Sequence, residues 1–177
     1  RFSDLSISQE KLLGDWTEKS PAIAKANLIA EDSTVEALAR FNTELGALLF
    51  RLLSIRVPLS GKQQHANFLL EQVNRFSAER DRMVELLKEM NLSGAFDERR
   101  QAVIDSNFQF NQKRIDEVLL EHEQLISTLF EEQMQFSKEC QRAAAELTKL
   151  FVPLLARVRA ELKLPFDAET YQRITEE

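Results

Sequence analysis

The two histidines and the single cysteine are the side chains of this sequence best suited to metal or nucleophilic chemistry. A di-iron or di-manganese centre inside a helical bundle uses Glu-x-x-His on two helices, because that spacing places both ligands on one face. Neither His65 nor His122 has a carboxylate three or four positions away. The sequence therefore predicts no such centre and no His-Glu-x-x-His metalloprotease site. Two histidines and one cysteine are also too few for a four-ligand His/Cys zinc site.

Patterns for other catalytic chemistry are sparse. The four glycines are isolated, and the sequence has no Gly-x-x-x-x-Gly-Lys loop that could cradle a phosphate. Ser-His-Asp and Cys-His arrangements assemble in space, so residue spacing leaves them open. Cys140 falls on the apolar stripe of a predicted helix, and we interpret it as a small core residue. We predict a protein that is not an enzyme and that uses no cofactor or metal.

Four polar residues interrupt apolar stripes and are the candidates for a binding pocket. Asn111, His122 and Gln133 lie eleven residues apart, close to three helical turns, so they share a face. Arg80 interrupts the stripe of the preceding helix. These side chains either line a polar cavity for a small ligand or anion, or fix helix register as single polar groups do in coiled coils. Because a buried unpaired charge is costly, we expect Arg80 to have a carboxylate partner or to be partly exposed.

Phe108 and Phe110 are the candidates for an interface. They are two residues apart, so on a helix they point in nearly opposite directions and cannot both enter one core. Either the helix breaks there, or one ring is exposed, contacts another helix, or belongs to a surface that contacts a partner or a second copy.

Helices must position all these residues, because the sequence has only four glycines and four prolines and sustains no strand-like alternation. A seven-residue apolar repeat runs through Leu38, Phe41, Leu45, Leu48, Leu52 and Ile55. Pro58 is expected to end this helix, and Ser60 with Gln63 to cap the next one. Asn91 to Gly94 predicts a turn.

The fold predicted from these signals is all-α. It is an elongated antiparallel bundle of three to four long helices with short loops, in one domain over residues 1–177. The predicted helices cover 21–31, 33–57, 60–91 and 95–163. Residues 105–107 are poor helix formers and the best place for a break in the last helix, and Pro153 is expected to kink it.

Charge and hydropathy narrow the classes of partner. The net charge is -6, and residues 95–152 contain 11 acidic and 7 basic residues, so we predict no nucleic-acid partner. The longest apolar run, Leu45 to Leu59, contains Arg51 and Arg56 and is shorter than the ~20 residues of a membrane span. The first residue is Arg1, which we interpret as a sign of an upstream segment that could tether the chain to a membrane.

Two functions are consistent with this pattern. The first is a non-enzymatic helical interaction or scaffold module, forming a coiled-coil-like bundle with a protein partner or a second copy. The second is a ligand-sensing or small-molecule-binding bundle of the bacterial cell envelope, in which small helix shifts answer the ligand.

Overall fold

Two long helices make up almost all of the described structure. A computed structural model describes residues 4, 5, 7, 10, 11, 14, 30–94, 97–165 and 167. Helix α1 spans Asp32–Ser93 and helix α2 spans Glu98–Glu161. They pack against each other with opposite chain directions, so the predicted all-α fold is confirmed. The predicted count of three to four helices is not confirmed, and residues 21–29 of the helix predicted over 21–31 lie outside the described residues.

The ends of α1 follow ordinary capping chemistry. The helix begins one residue earlier than predicted, and the Glu31 carbonyl accepts hydrogen bonds from the backbone N–H groups of Thr34 and Val35, at 2.9 and 3.0 Å. It ends at Ser93. Gly94 follows with a φ of 66°, a backbone conformation in which glycine avoids the steric cost of a Cβ. The turn predicted over 91–94 is therefore found at Gly94, whereas residues 91–93 are still helical.

A side-chain cap sets the start of α2, three residues later than predicted. Asp97 Oδ1 accepts hydrogen bonds from the backbone N–H groups of Arg99 and Arg100, at 2.9 and 3.3 Å. A carboxylate at this position satisfies free N–H groups and complements the helix dipole. At the other end, the N–H of Leu164 bonds the carbonyl of Arg159 at 2.8 Å, and Lys163 takes a positive φ, as in a Schellman-type cap.

The helix end predicted at Pro58 and the new helix start predicted at Ser60 with Gln63 are wrong, since these residues lie inside α1. The helices predicted over 33–57 and 60–91 are therefore one helix. The proline cannot donate to the carbonyl of Ser54, but both residues are exposed, so water can reach that carbonyl. The apolar repeat also stays in phase across the proline, from Leu52 to Leu59 to Ala66, and all three side chains are buried. Packing on the inner face thus holds the helix together through the proline.

The break considered at 105–107 does not occur, because α2 runs through these residues. Ile104 is buried just before them and Asn111 shortly after, so the inner face is packed on both sides. Favourable packing commonly overrides weak local helix propensity. Pro153 also lies inside α2, and the kink expected there stays a prediction.

The contacts divide the chain into two compact units, each holding part of both helices. The first unit contains residues 1–59 and 132–177, and the second contains residues 60–131. Buried apolar side chains of the first unit include Leu45, Leu48, Leu52, Leu59, Phe136, Ala143, Val152 and Leu154. Those of the second include Ala66, Leu69, Met90, Ile104, Ile115, Val118 and Leu129. The assignment of residues 1–177 to one domain stays a prediction.

Candidate functional site

Arg80 links the two helices of the second unit. Its Nη2 lies 2.9 Å from Asp81 Oδ1, and its Nη1 donates to Gln112 Oε1 on α2 at 3.2 Å. The side chain is half-buried. The expected carboxylate partner is therefore present, and the guanidinium also reaches the facing helix. This geometry fits a residue that fixes helix register as well as one that borders a pocket.

The other three polar candidates vary in burial. Asn111 is buried and His122 is half-buried, both in the second unit, whereas Gln133 is half-buried in the first unit. No hydrogen bond joins any two of the four candidates in the described part of the chain. A pocket formed by these residues stays a prediction.

Arg56 is a buried charged residue that was not among the candidates from the sequence. Its exposed fraction is 1%, and its Nη2 donates hydrogen bonds to the backbone carbonyls of Asp4, at 2.8 Å, and Ile7. The guanidinium thus ties residues 4 and 7 to α1 within the first unit. A sequence signal was available, because Arg56 lies four residues after Leu52 and three before Leu59, on the buried face.

Cys140 has the character of a packed thiol. It is half-buried in the first unit, and burial raises its pKa above the ordinary value, against the opposing field of the Arg56 guanidinium. The thiolate is the nucleophilic form of cysteine, so a raised pKa leaves less of it at neutral pH. These properties fit the interpretation of Cys140 as a core residue.

His65 has a cross-helix partner that spacing along the sequence could not reveal. Its Nε2 lies 3.2 Å from Glu121 Oε1 on α2, and its ring stacks near that of Phe68 with centroids 6.5 Å apart. His65 and Glu121 are both exposed.

The described residues contain no group of three His, Cys, Asp or Glu side chains placed to hold a metal ion. No helix in the described part of the chain is long and apolar enough to cross a membrane.

The phenylalanine pair lies on opposite sides of α2. Phe108 is half-buried, whereas Phe110 has an exposed fraction of 58%. Phe108 shares one helix face with Leu119, Ile126 and Phe130, because the spacings of 11, 7 and 4 residues are close to whole turns. We call these four residues the α2 apolar edge. Phe130 has the largest exposed fraction among them, 65%.

Among the described residues of the first unit, surface cavities between the start of α1 and the end of α2 include an apolar cleft and a basic groove. The apolar cleft has a volume of about 260 Å³ and is lined mainly by aliphatic and aromatic side chains, including Leu38, Phe151 and Val158. The basic groove has a volume of about 370 Å³, and its lining includes Arg40 and Lys149. Neither lining includes any of the polar candidates from the sequence.

The class of protein defined by this architecture is an all-α helical hairpin. Comparison of the chain with protein families, with curated proteins and with solved structures gives no match.

Proposed function

We propose that this chain is a non-enzymatic helical interaction module, and that the α2 apolar edge is its binding surface. The observation that carries the proposal is the exposure of Phe130 and its neighbours on one face of α2. Helices with a second uncovered apolar face typically bury it against another helix. The partner is therefore expected to present an apolar helix.

The occupant we propose for the edge is a second copy of this chain. The described part of the second unit consists of segments of two helices, which share one small core. Small units of this kind rarely supply more than about 3–5 kcal/mol of stability alone. Pairing two hairpins makes a four-helix bundle, a common arrangement of long antiparallel helices. In a two-fold dimer the same edge on each copy faces the other, and an apolar surface is complementary to itself.

Substituting Phe130→Glu tests this surface. We expect the dissociation constant of the dimer to rise at least about 30-fold, since a central apolar anchor is replaced by a charge that is buried on association. The measurement is sedimentation velocity over a concentration series of the full chain. Circular dichroism checks that the variant remains helical.

The matched control is Phe110→Glu, which places the same charge on the opposite side of the same helix. Its dissociation constant should stay within about threefold of the unmodified value, as for a residue outside the contact. A larger loss with Phe110→Glu than with Phe130→Glu would show that the proposed edge is the wrong surface.

The alternative function is a small-molecule-binding bundle of the bacterial cell envelope. The apolar cleft supports the small-molecule binding in this alternative, because a concave apolar surface with a few polar groups is typical of ligand sites. Thr34 and Glu161 are the polar residues among the described lining of the cleft. The Thr34 hydroxyl is buried and forms no hydrogen bond with the described residues. Location in the cell envelope stays a prediction.

A further inference from the structure

The basic groove of the first unit brings three cationic side chains together in an acidic protein. Arg40 comes from α1, and Lys149 and Arg157 come from α2. Glu36 is the one carboxylate in the described lining, so the cations outnumber it. The chain as a whole has a net charge of -6, which makes this local excess of positive charge unlike the average surface.

Two of these cations retain their full capacity to bind an anion. Arg40 and Lys149 form no ion pair and no side-chain hydrogen bond with the described residues, whereas Arg157 donates one hydrogen bond to the Ser33 carbonyl at 2.9 Å. Other cations on the same helices are paired, such as Arg51 with Glu146 at 3.2 Å. An anion in the groove would therefore gain charge-assisted hydrogen bonds without breaking an existing ion pair.

Apolar side chains line the groove between its charged residues. Phe41 lines it, and the ring of Phe41 is held by the ring of Phe151 with centroids 5.9 Å apart. Leu154 of α2 also lines the groove, and its side chain is buried. A volume of about 370 Å³ falls at the small end of the range for ligand sites, roughly 300–1,000 Å³. A ligand that matches this groove has a short apolar body and one anionic end.

We propose that the basic groove binds a medium-chain aliphatic carboxylate. The carboxylate contacts Arg40 and Lys149, the two cations without a partner among the described residues, and the chain packs along Phe41 and Leu154. Arginine suits this role because its planar fork matches a carboxylate with two parallel hydrogen bonds. The proposal goes beyond the interaction module, since the groove and the α2 apolar edge share no residue.

Isothermal titration calorimetry of the full chain with decanoate, below its micelle concentration, tests the proposal. We expect saturable binding that weakens as sodium chloride is added, because exposed charge pairs are screened by salt. The double variant Arg40→Gln/Lys149→Gln should raise the dissociation constant for decanoate roughly tenfold, since it removes two charge contacts. Both side chains are exposed, so the variant should keep the helicity of the parent.

Three comparisons decide the outcome. Arg75→Gln is the matched control, because Arg75 is an exposed cation of α1 outside the groove, without an ion pair to the described residues. It should leave decanoate binding unchanged. Decanol should bind at least about tenfold more weakly than decanoate, and inorganic phosphate should not compete with it. Equal binding of decanol, an unaffected double variant, or competition by phosphate at the concentration of decanoate would each overturn the proposal.

Discussion

Replacing Phe136 with alanine should lower the free energy of unfolding by about 3–5 kcal/mol. Phe136 has an exposed fraction of 1% and is among the largest fully buried side chains of the first unit. Alanine removes the ring and leaves a cavity that two packed helices can close only in part. Urea denaturation followed by circular dichroism measures the change.

Phe110→Ala is the control for this prediction. It truncates the same residue type on the same helix, but at a site with an exposed fraction of 58%. Its effect should stay within about 0.5 kcal/mol, as is usual for surface substitutions. If the two variants lost similar stability, the burial assigned to Phe136 would be wrong.

Replacing Arg56 with methionine should lower the free energy of unfolding by about 2–4 kcal/mol. Methionine keeps much of the length and apolar volume of arginine but provides no donor for the carbonyls of Asp4 and Ile7. Both carbonyls lose a hydrogen bond from a charged group. The same urea denaturation measures the loss, and hydrogen exchange should become faster around residues 4–7.

Arg51→Met provides the matched control, five residues earlier on α1. Arg51 pairs with Glu146 across the helices, but both side chains are exposed, and such pairs contribute about 0–1 kcal/mol. A loss at Arg51 equal to that at Arg56 would contradict the structural role given to the buried guanidinium.

The regular apolar repeats made the fold class predictable from the sequence. The positions of Leu45, Leu48 and Leu52 predicted a buried helix face, and all three are buried. The rule that proline ends a helix fails at Pro58, because this residue lies on the exposed face of α1. The repeat from Leu52 through Leu59 to Ala66 contained the information that the helix continues.

The polar residues were less predictable, because their partners come from another segment of the chain. Arg80 and Arg56 both interrupt apolar stretches, yet Arg80 is half-buried beside Asp81 whereas Arg56 is fully buried. The difference depends on residues 4 and 7, whose carbonyls accept from Arg56. Likewise, the Glu121 partner of His65 lies 56 residues away in sequence. Periodicity within one helix contains no information about such contacts.

The two phenylalanines considered for an interface, Phe108 and Phe110, were also only partly predictable from the sequence. Spacing showed that Phe108 and Phe110 must point apart, and the structure leaves Phe108 half-buried and Phe110 exposed. The sequence alone did not group Phe108 with Leu119, Ile126 and Phe130, because the core stripe dominates the pattern of α2. Exposure in the folded helix pair was needed to distinguish a second apolar face from the first.

The most direct test of the interaction module is the mass of the unmodified chain in solution. Sedimentation equilibrium at micromolar concentrations should give twice the chain mass of 20.4 kDa, falling towards the single-chain mass on dilution. That result would agree with a second copy covering the α2 apolar edge. A mass of 20.4 kDa at every concentration up to the solubility limit would contradict the proposal that this chain pairs with itself.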